Sequence, residues 1–268
     1  MTRSGVRLKK DAGDEETLLN ILVVRDSMSK VVSAHVVPVK GGGEDGYAAE
    51  KLRRDIQWLG HSRVILRSDN ENPIVALLRE ALRALKVEVI DAGEPHPAPY
   101  DSKGNGGAEN GVKQVQGILR TLKECLETRI GARIPVGHPL MAWMVRHASW
   151  ILTTRSRGID GRTPYERVRG RGFARKMVGF GEICLFKLPS KGPEAHGADG
   201  KLAGRWCRGA FLGYDRLSNE YVFQCGGRIG KSRALQRVVP DRRWSALVLQ
   251  EVTASPYGTF QNKQQKYF

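Results

Sequence analysis

The sequence predicts an α/β layer followed by a small β-barrel. Three observations predict it. Two β-branched runs near the start are joined by turn formers, helical patterns then alternate with short apolar strands, and from Val178 onward short strands are divided by Gly-rich turns. With 268 residues the chain is long enough for one large domain or two modest ones, and its core needs no metal or disulfide staple.

Asn20–Val24 (NILVV) and Val31–Val39 (VVSAHVVPV) flank RDSMSK and read as an antiparallel hairpin. Between Tyr47 and Leu59, Ala48, Leu52, Ile56 and Leu59 fall at helical spacing, and Gly60 offers the stop. The apolar run VILRSD then reads as a strand that ends at Asp69. Pro73 opens a second helix along Ile74, Leu77, Leu78, Ala81, Leu82 and Leu85, followed by the strand VEVI at 87–90.

The Pro- and Gly-rich stretch from Ala92 to Gly107 predicts a mobile loop. A long helix is expected from Ala108 to Arg129, with Val112, Val115, Leu119, Leu122 and Leu126 as its apolar stripe, and another from His138 to Thr153. Arg155–Lys176 holds eight basic and two acidic residues and reads as a basic connector. EICLFKL, RGAFLGY, EYVFQC and ALQRVV supply the barrel strands, with Ser190–Gly204 as a long hairpin loop. The expected organisation is a core at 1–154, a connector at 155–177, a barrel at 178–245 and a tail at 246–268, disordered after Ser255.

The net charge of +16 predicts a polyanionic partner. Its distribution is uneven: Met1–Val112 carries 16 basic and 17 acidic residues, whereas Lys113–Phe268 carries 28 basic and 11 acidic. No apolar run approaches the roughly 20 residues of a membrane helix, and MTRSGVRLKK lacks the apolar stretch of a secretory signal, so a soluble intracellular chain is expected. Cys125, Cys184, Cys207 and Cys225 form no CxxC, and are expected to be separate core thiols in a reducing compartment.

Asp69 at a strand end and Glu109 at a helix start are hard oxygen ligands of the kind that hold Mg²⁺ or Mn²⁺ when they converge. Taken singly, a surface Asp and a helix-capping Glu explain them as well. Glu109, Lys113, Gln116 and Arg120 stand at i, i+4, i+7 and i+11, so the carboxylate shares a helix face with side chains suited to a phosphate backbone.

The order VVRDSMSK, HVVPVKG, RVILRSDNE, GNGGAENGVKQVQ, GRTPYERVRGR and RGAFLGY, across about residues 15–245, resembles the integrase of copia-type retrotransposons and, more distantly, of retroviruses. The resemblance implies an RNase H-like mixed sheet with flanking helices, followed by an SH3-like β-barrel. It further implies an Asp-Asp-Glu triad that chelates two divalent ions, with Asp69 as the second Asp and Glu109 as the Glu. The first Asp would stand on the strand before NILVV. No carboxylate precedes Asp11, so the resemblance implies a core shortened at its amino terminus and an incomplete triad. Asp11 and Asp14 read as part of a solvated turn, and Asp26 as a turn residue.

By the same resemblance, Lys113, Gln116 and Arg120 hold the DNA end, while Arg167, Arg169 and Arg171 of the connector grip phosphates without reading sequence. The implied activity is polynucleotidyl transfer in DNA integration, with element ends, target DNA and further copies of the chain as partners, in the nucleus and away from membranes. The alternative reading is a catalytically silent fragment of a retroelement that binds nucleic acid through charge.

Overall fold

The two β-branched runs around RDSMSK pair as the spacing predicts. In the computed structural model, which describes residues 5–6, 19–41, 43, 45–68, 71–83, 85, 88–89, 106–188 and 204–258, β2 (Leu19–Arg25) and β3 (Val32–Val37) form an antiparallel ladder. A two-residue strand, β1 (Gly5–Val6), pairs antiparallel with the start of β2. Alternation splits the sheet into two faces. Leu19, Ile21 and Val23 join Val32, Ala34 and Val36 in one core, while Leu22, Val24 and Val37 belong to another.

The second of these cores is closed by α1 (Tyr47–Leu59) and α2 (Asn72–Arg83). Helix α1 stops at Gly60, whose N–H bonds the Gln57 carbonyl at 3.2 Å. Helix α2 connects β4 (Arg63–Val64) to β5 (Glu88–Val89), and these two strands are parallel, as a helical crossover requires. The α/β class therefore holds, with helices on both sides of the first sheet. The expected single mixed sheet is resolved into two ladders among the described residues, because β1, β4 and β5 contribute only two residues each.

The opposite face is closed by α3 (Gly106–Ile130) and α4 (Pro139–Arg155). Helix α4 is buried nearly all round, the pattern of a helix with structure on every side. On one flank it meets β3, and on the other a five-stranded antiparallel sheet, β10-β6-β7-β8-β9, made of β6 (Ile183–Lys187), β7 (Trp206–Tyr214), β8 (Tyr221–Cys225), β9 (Arg228–Ser232) and β10 (Leu235–Arg237). Between α4 and this sheet, residues 155–177 are no open connector. They carry α5 (Pro164–Arg169), opened by a Thr163/Glu166 capping box, and bury Tyr165.

The second sheet is strongly curled. Its edge strands β9 and β10 are joined through only Arg233 and Ala234, so Ser232 and Leu235 lie within three Cα steps, about 11 Å. In a flat sheet those edges would stand four strand spacings apart, about 19 Å. The corner is sealed by Ser232 Oγ, whose single O–H is shared between the Lys187 and Ala234 carbonyls at 2.8 and 2.7 Å.

Two expectations are corrected. Cys207 and Cys225 are not separate thiols but a disulfide that bridges the neighbouring strands β7 and β8. Cys184 is the buried thiol expected, its pKa pushed up to about 12, first by burial and then by Glu182, whereas Cys125 falls off the apolar stripe of α3 and is exposed. The segment 246–258, placed in the tail, is ordered. Leu249 and Val252 fill the core beneath α6 (Ala246–Gln250), and Trp143 Nε1 donates to the Ala254 carbonyl at 2.8 Å. Residues 259–268 and the loop at 190–203 lie outside the described residues.

At Gly209 on β7 an added Cβ would stand 2.3 Å from the Gln224 carbonyl oxygen. Backbone cannot yield cheaply there, so Gly209→Ala is expected to lower stability by about 1–3 kcal/mol in urea unfolding. An unchanged midpoint would contradict this close approach.

Candidate functional site

Helix α3 begins where β2 ends. Arg25, the last residue of β2, donates from Nη1 to the Gly107 carbonyl at 2.7 Å. Gly111 lets the helix lie close against that strand: a Cβ there would come within 3.4 Å of Arg25 and 3.7 Å of Val23. Glu109 sits between these two anchors, in the first turn and half-buried. Below it on the same face follow Lys113, exposed, Gln116, half-buried, and Arg120, exposed, with Arg120 Nε 3.4 Å from the Gln116 carbonyl. Val115, Leu119 and Leu126 are buried on the other side. The helix thus places a carboxylate at its positive end and two exposed cations in line behind it.

Asp69 lies outside the described residues, as do Asp11 and Asp14. Among the described residues no group of three or more His, Cys, Asp or Glu side chains is gathered to hold a metal ion. Asp26 is a turn residue as expected. Its carboxylate accepts from the Ser29 N–H at 2.7 Å and from the Ser29 hydroxyl at 2.5 Å, and its pKa is lowered because these bonds and His61 outweigh its burial. The strand that by resemblance would carry the first Asp is represented by Gly5 and Val6, which offer no carboxylate.

The connector arginines are unequally placed. Arg167 forms an ion pair with Asp160 at 2.5 Å and reaches the Ser29 carbonyl at 3.1 Å, so it ties α5 to the β2–β3 turn. Arg169 stacks on Trp58, 4.5 Å from the ring centroid, and donates to the Trp58 carbonyl at 3.2 Å, yet remains exposed. Arg171 is exposed.

A second constellation escapes sequence reasoning. Arg216, in the β7–β8 turn, passes between the two sheets and binds Asp55 of α1 at 2.8 Å. The same guanidinium donates to Ser33 Oγ and to the Val32 carbonyl and lies over the rings of Trp58 and Trp150, 4.9 and 5.5 Å from their centroids. Trp58 Nε1 returns a bond to the Arg216 carbonyl at 2.9 Å, and His35 Nε2 meets the other Asp55 oxygen at 2.8 Å. Burial alone would raise the Asp55 pKa. Attraction from His35 and Arg216 overcomes it and holds the group below the usual carboxylate range. His35 is lowered, chiefly by burial. One signal was legible: Asp55 falls on the apolar stripe of α1, three residues after Leu52 and one before Ile56, where an isolated carboxylate needs a partner. Nothing in the turn DRLSNE marked Arg216 as that partner.

No protein-family model matches the chain, and neither does any curated protein. Among solved structures, the catalytic core domain of BIV integrase is similar over 57% of this chain and 86% of its own, at 19% identity and a TM-score of 0.36. The simian T-cell lymphotropic virus intasome, solved in complex with the PP2A regulatory subunit B56 gamma, is similar over 84% of this chain and 75% of its own, at 15% identity and a TM-score of 0.38. Among the described residues no helix is long and apolar enough to cross a membrane.

Removing one member of a buried ion pair leaves the other charge uncompensated, so Asp55→Ala or Arg216→Ala is expected to cost about 3–5 kcal/mol, with the double variant costing less than the sum. A double-mutant cycle in urea checks this, and additive losses would deny the coupling. His147, buried among Phe180, Phe211 and Tyr214, has its pKa pushed down to about 4 by burial. The unfolded chain therefore takes up a proton that the folded chain refuses as pH falls through about 6.5, so stability is full above that pH and declines towards 4. Thermal unfolding against pH is expected to show a decline of up to about 3 kcal/mol from this group, flattened in His147→Phe.

Proposed function

We propose that the chain is an integrase-type polynucleotidyl transferase of the copia-type retrotransposon kind, acting on DNA by phosphoryl transfer. The observation that carries this reading is the placement of Glu109. It stands in the first turn of a helix docked onto the end of β2 through Arg25 and Gly111, at the head of a face that presents Lys113 and Arg120 to solvent. The order of the sequence motifs and the antiparallel strands followed by a helical crossover agree with it.

Asp69 and Glu109 are the side chains that would hold Mg²⁺ or Mn²⁺. When bound, such ions activate the attacking oxygen and stabilise the leaving one. The described residues contribute only Glu109 to that donor set, an oxygen ligand of suitable type. The remaining work falls to the chain. Lys113 and Arg120 neutralise phosphates of a DNA end along α3, Gln116 adds a neutral donor between them, and Arg169 and Arg171 extend the basic surface beyond α5. Further copies of the chain and target DNA complete the proposed assembly.

One observation favours a second reading, binding of nucleic acid without catalysis: β1 offers glycine and valine where the resemblance puts the first Asp. Strand transfer with Mn²⁺ on short duplexes separates the two. The first reading expects joined product from the wild type and background levels from Asp69→Asn and Glu109→Gln, with DNA binding retained in both. Binding without product, its log affinity falling with log salt at roughly 0.9 per phosphate contacted, would establish the second. Binding indifferent to salt would remove both.

A further inference from the structure

Beside the Arg216–Asp55 pair, a cleft of about 80 Å³ opens between α1, α4 and the β7–β8 turn. Four cationic side chains line it, Lys51, Arg54, Arg146 and Arg216, against two carboxylates, Asp55 and Asp215. The carboxylates are already taken. Asp55 belongs to Arg216, while Asp215 is held at 2.5 Å by Lys231 and accepts from the N–H groups of Leu217 and Ser218. Arg54 is answered by Glu50 at 2.5 Å.

Among the described residues Lys51 and Arg146 make no ion pair, although Asp55 and Glu50 attract Lys51 and Asp215 feels Arg146 at longer range, and both cations lie beside aromatic faces. Lys51 Nζ lies 4.9 Å from the Tyr47 ring centroid, and the Arg146 guanidinium 5.8 Å from that of Trp143. The crowding of like charge is felt at Lys51, whose pKa is pushed down to about 7, first by burial and then by Arg146 and Arg54. Two buried nitrogens of residues that line the cleft, Trp150 Nε1 and His147 Nδ1, have no hydrogen-bond partner among the described residues, and the indole N–H can only donate. A cleft with surplus positive charge, lined by a residue whose indole donor is unused, is complementary to an anion.

We propose that this cleft binds a phosphate group, held between Lys51 and Arg146. A phosphoryl group suits the pair because its several oxygens accept at once from the planar fork of an arginine and the point charge of a lysine. The free volume corresponds to a handful of water positions, room for one phosphate-sized group but not for the width of a duplex. The group can belong to a small phosphorylated molecule or to the backbone of a nucleic acid. Neither case depends on Asp69 or Glu109.

The test titrates the full chain with pyrophosphate at constant ionic strength, following tryptophan fluorescence, since Trp58, Trp143 and Trp150 line the cleft. A saturable change is expected, weakened about tenfold by Lys51→Gln and by Arg146→Gln, weakened less by Arg146→Lys, which keeps the charge but loses the fork, and unaffected by Arg79→Gln on the exposed side of α2. A parallel titration with a short DNA duplex identifies the source: loss of duplex affinity in the same two variants, without a pyrophosphate response, assigns the group to a nucleic-acid backbone. If the wild type gives no saturable response to pyrophosphate and its duplex binding is the same in Lys51→Gln, the proposal is overturned, whether or not Arg146→Gln folds.

Discussion

The buried pairing of Arg216 with Asp55 is the constraint on which the arrangement of the two sheets depends. An arginine from the curled sheet and a carboxylate from the first α/β layer are both withdrawn from water, which is tolerable because each charge meets the other and further hydrogen-bond partners. Asp55 receives His35 and Arg216 on its two oxygens, and the guanidinium reaches Ser33 and the Val32 carbonyl while two indole faces cover it. The Trp58 Nε1 bond to the Arg216 backbone then fixes the turn itself. With that turn pinned over α1, helix α4 is enclosed between β3 and β7, and its side chains join the two cores.

A similar logic governs much of the basic charge in the second part of the chain. Arg167 is bound to Asp160 and Ser29, Arg175 to the Asn219 and Arg233 carbonyls, and Arg237 and Arg243 face the buried carboxylate of Glu182. These groups hold loops and strand ends together. The net charge consequently overstates the surface offered to a polyanion. Lys113, Arg120 and Arg171 are exposed, and Arg169 is exposed while resting on Trp58.

Glu109 illustrates how packing helps to position a candidate site. The glycine at 111 allows α3 to approach β2, and the Arg25–Gly107 bond ties down the first turn. The backbone that bears the carboxylate is thus set by contacts of its neighbours in the chain. Its face of the helix remains open to solvent because the apolar residues of α3 are gathered on the other side.

Much of this was legible in the residues alone. The bounds of α1, the β2–β3 hairpin, the long helix bearing Glu109 and the strands after Val178 follow from periodicity and turn formers, and these act over a few residues. The same reading drew the strand after Gly60 too long: among the described residues only Arg63 and Val64 of that run are paired, because a strand exists only if a neighbour supplies its bonds. It also missed the Cys207–Cys225 bond, which depends on β7 and β8 lying side by side. The partner of Asp55 stands 161 residues away, and the neutral walls and crowded cations of the cleft come from α1, α4 and a distant turn. Short-range pattern determined which elements form. Which charges meet was decided only when chain closure brought together residues with no local relation, and burial then made each unmet valence costly.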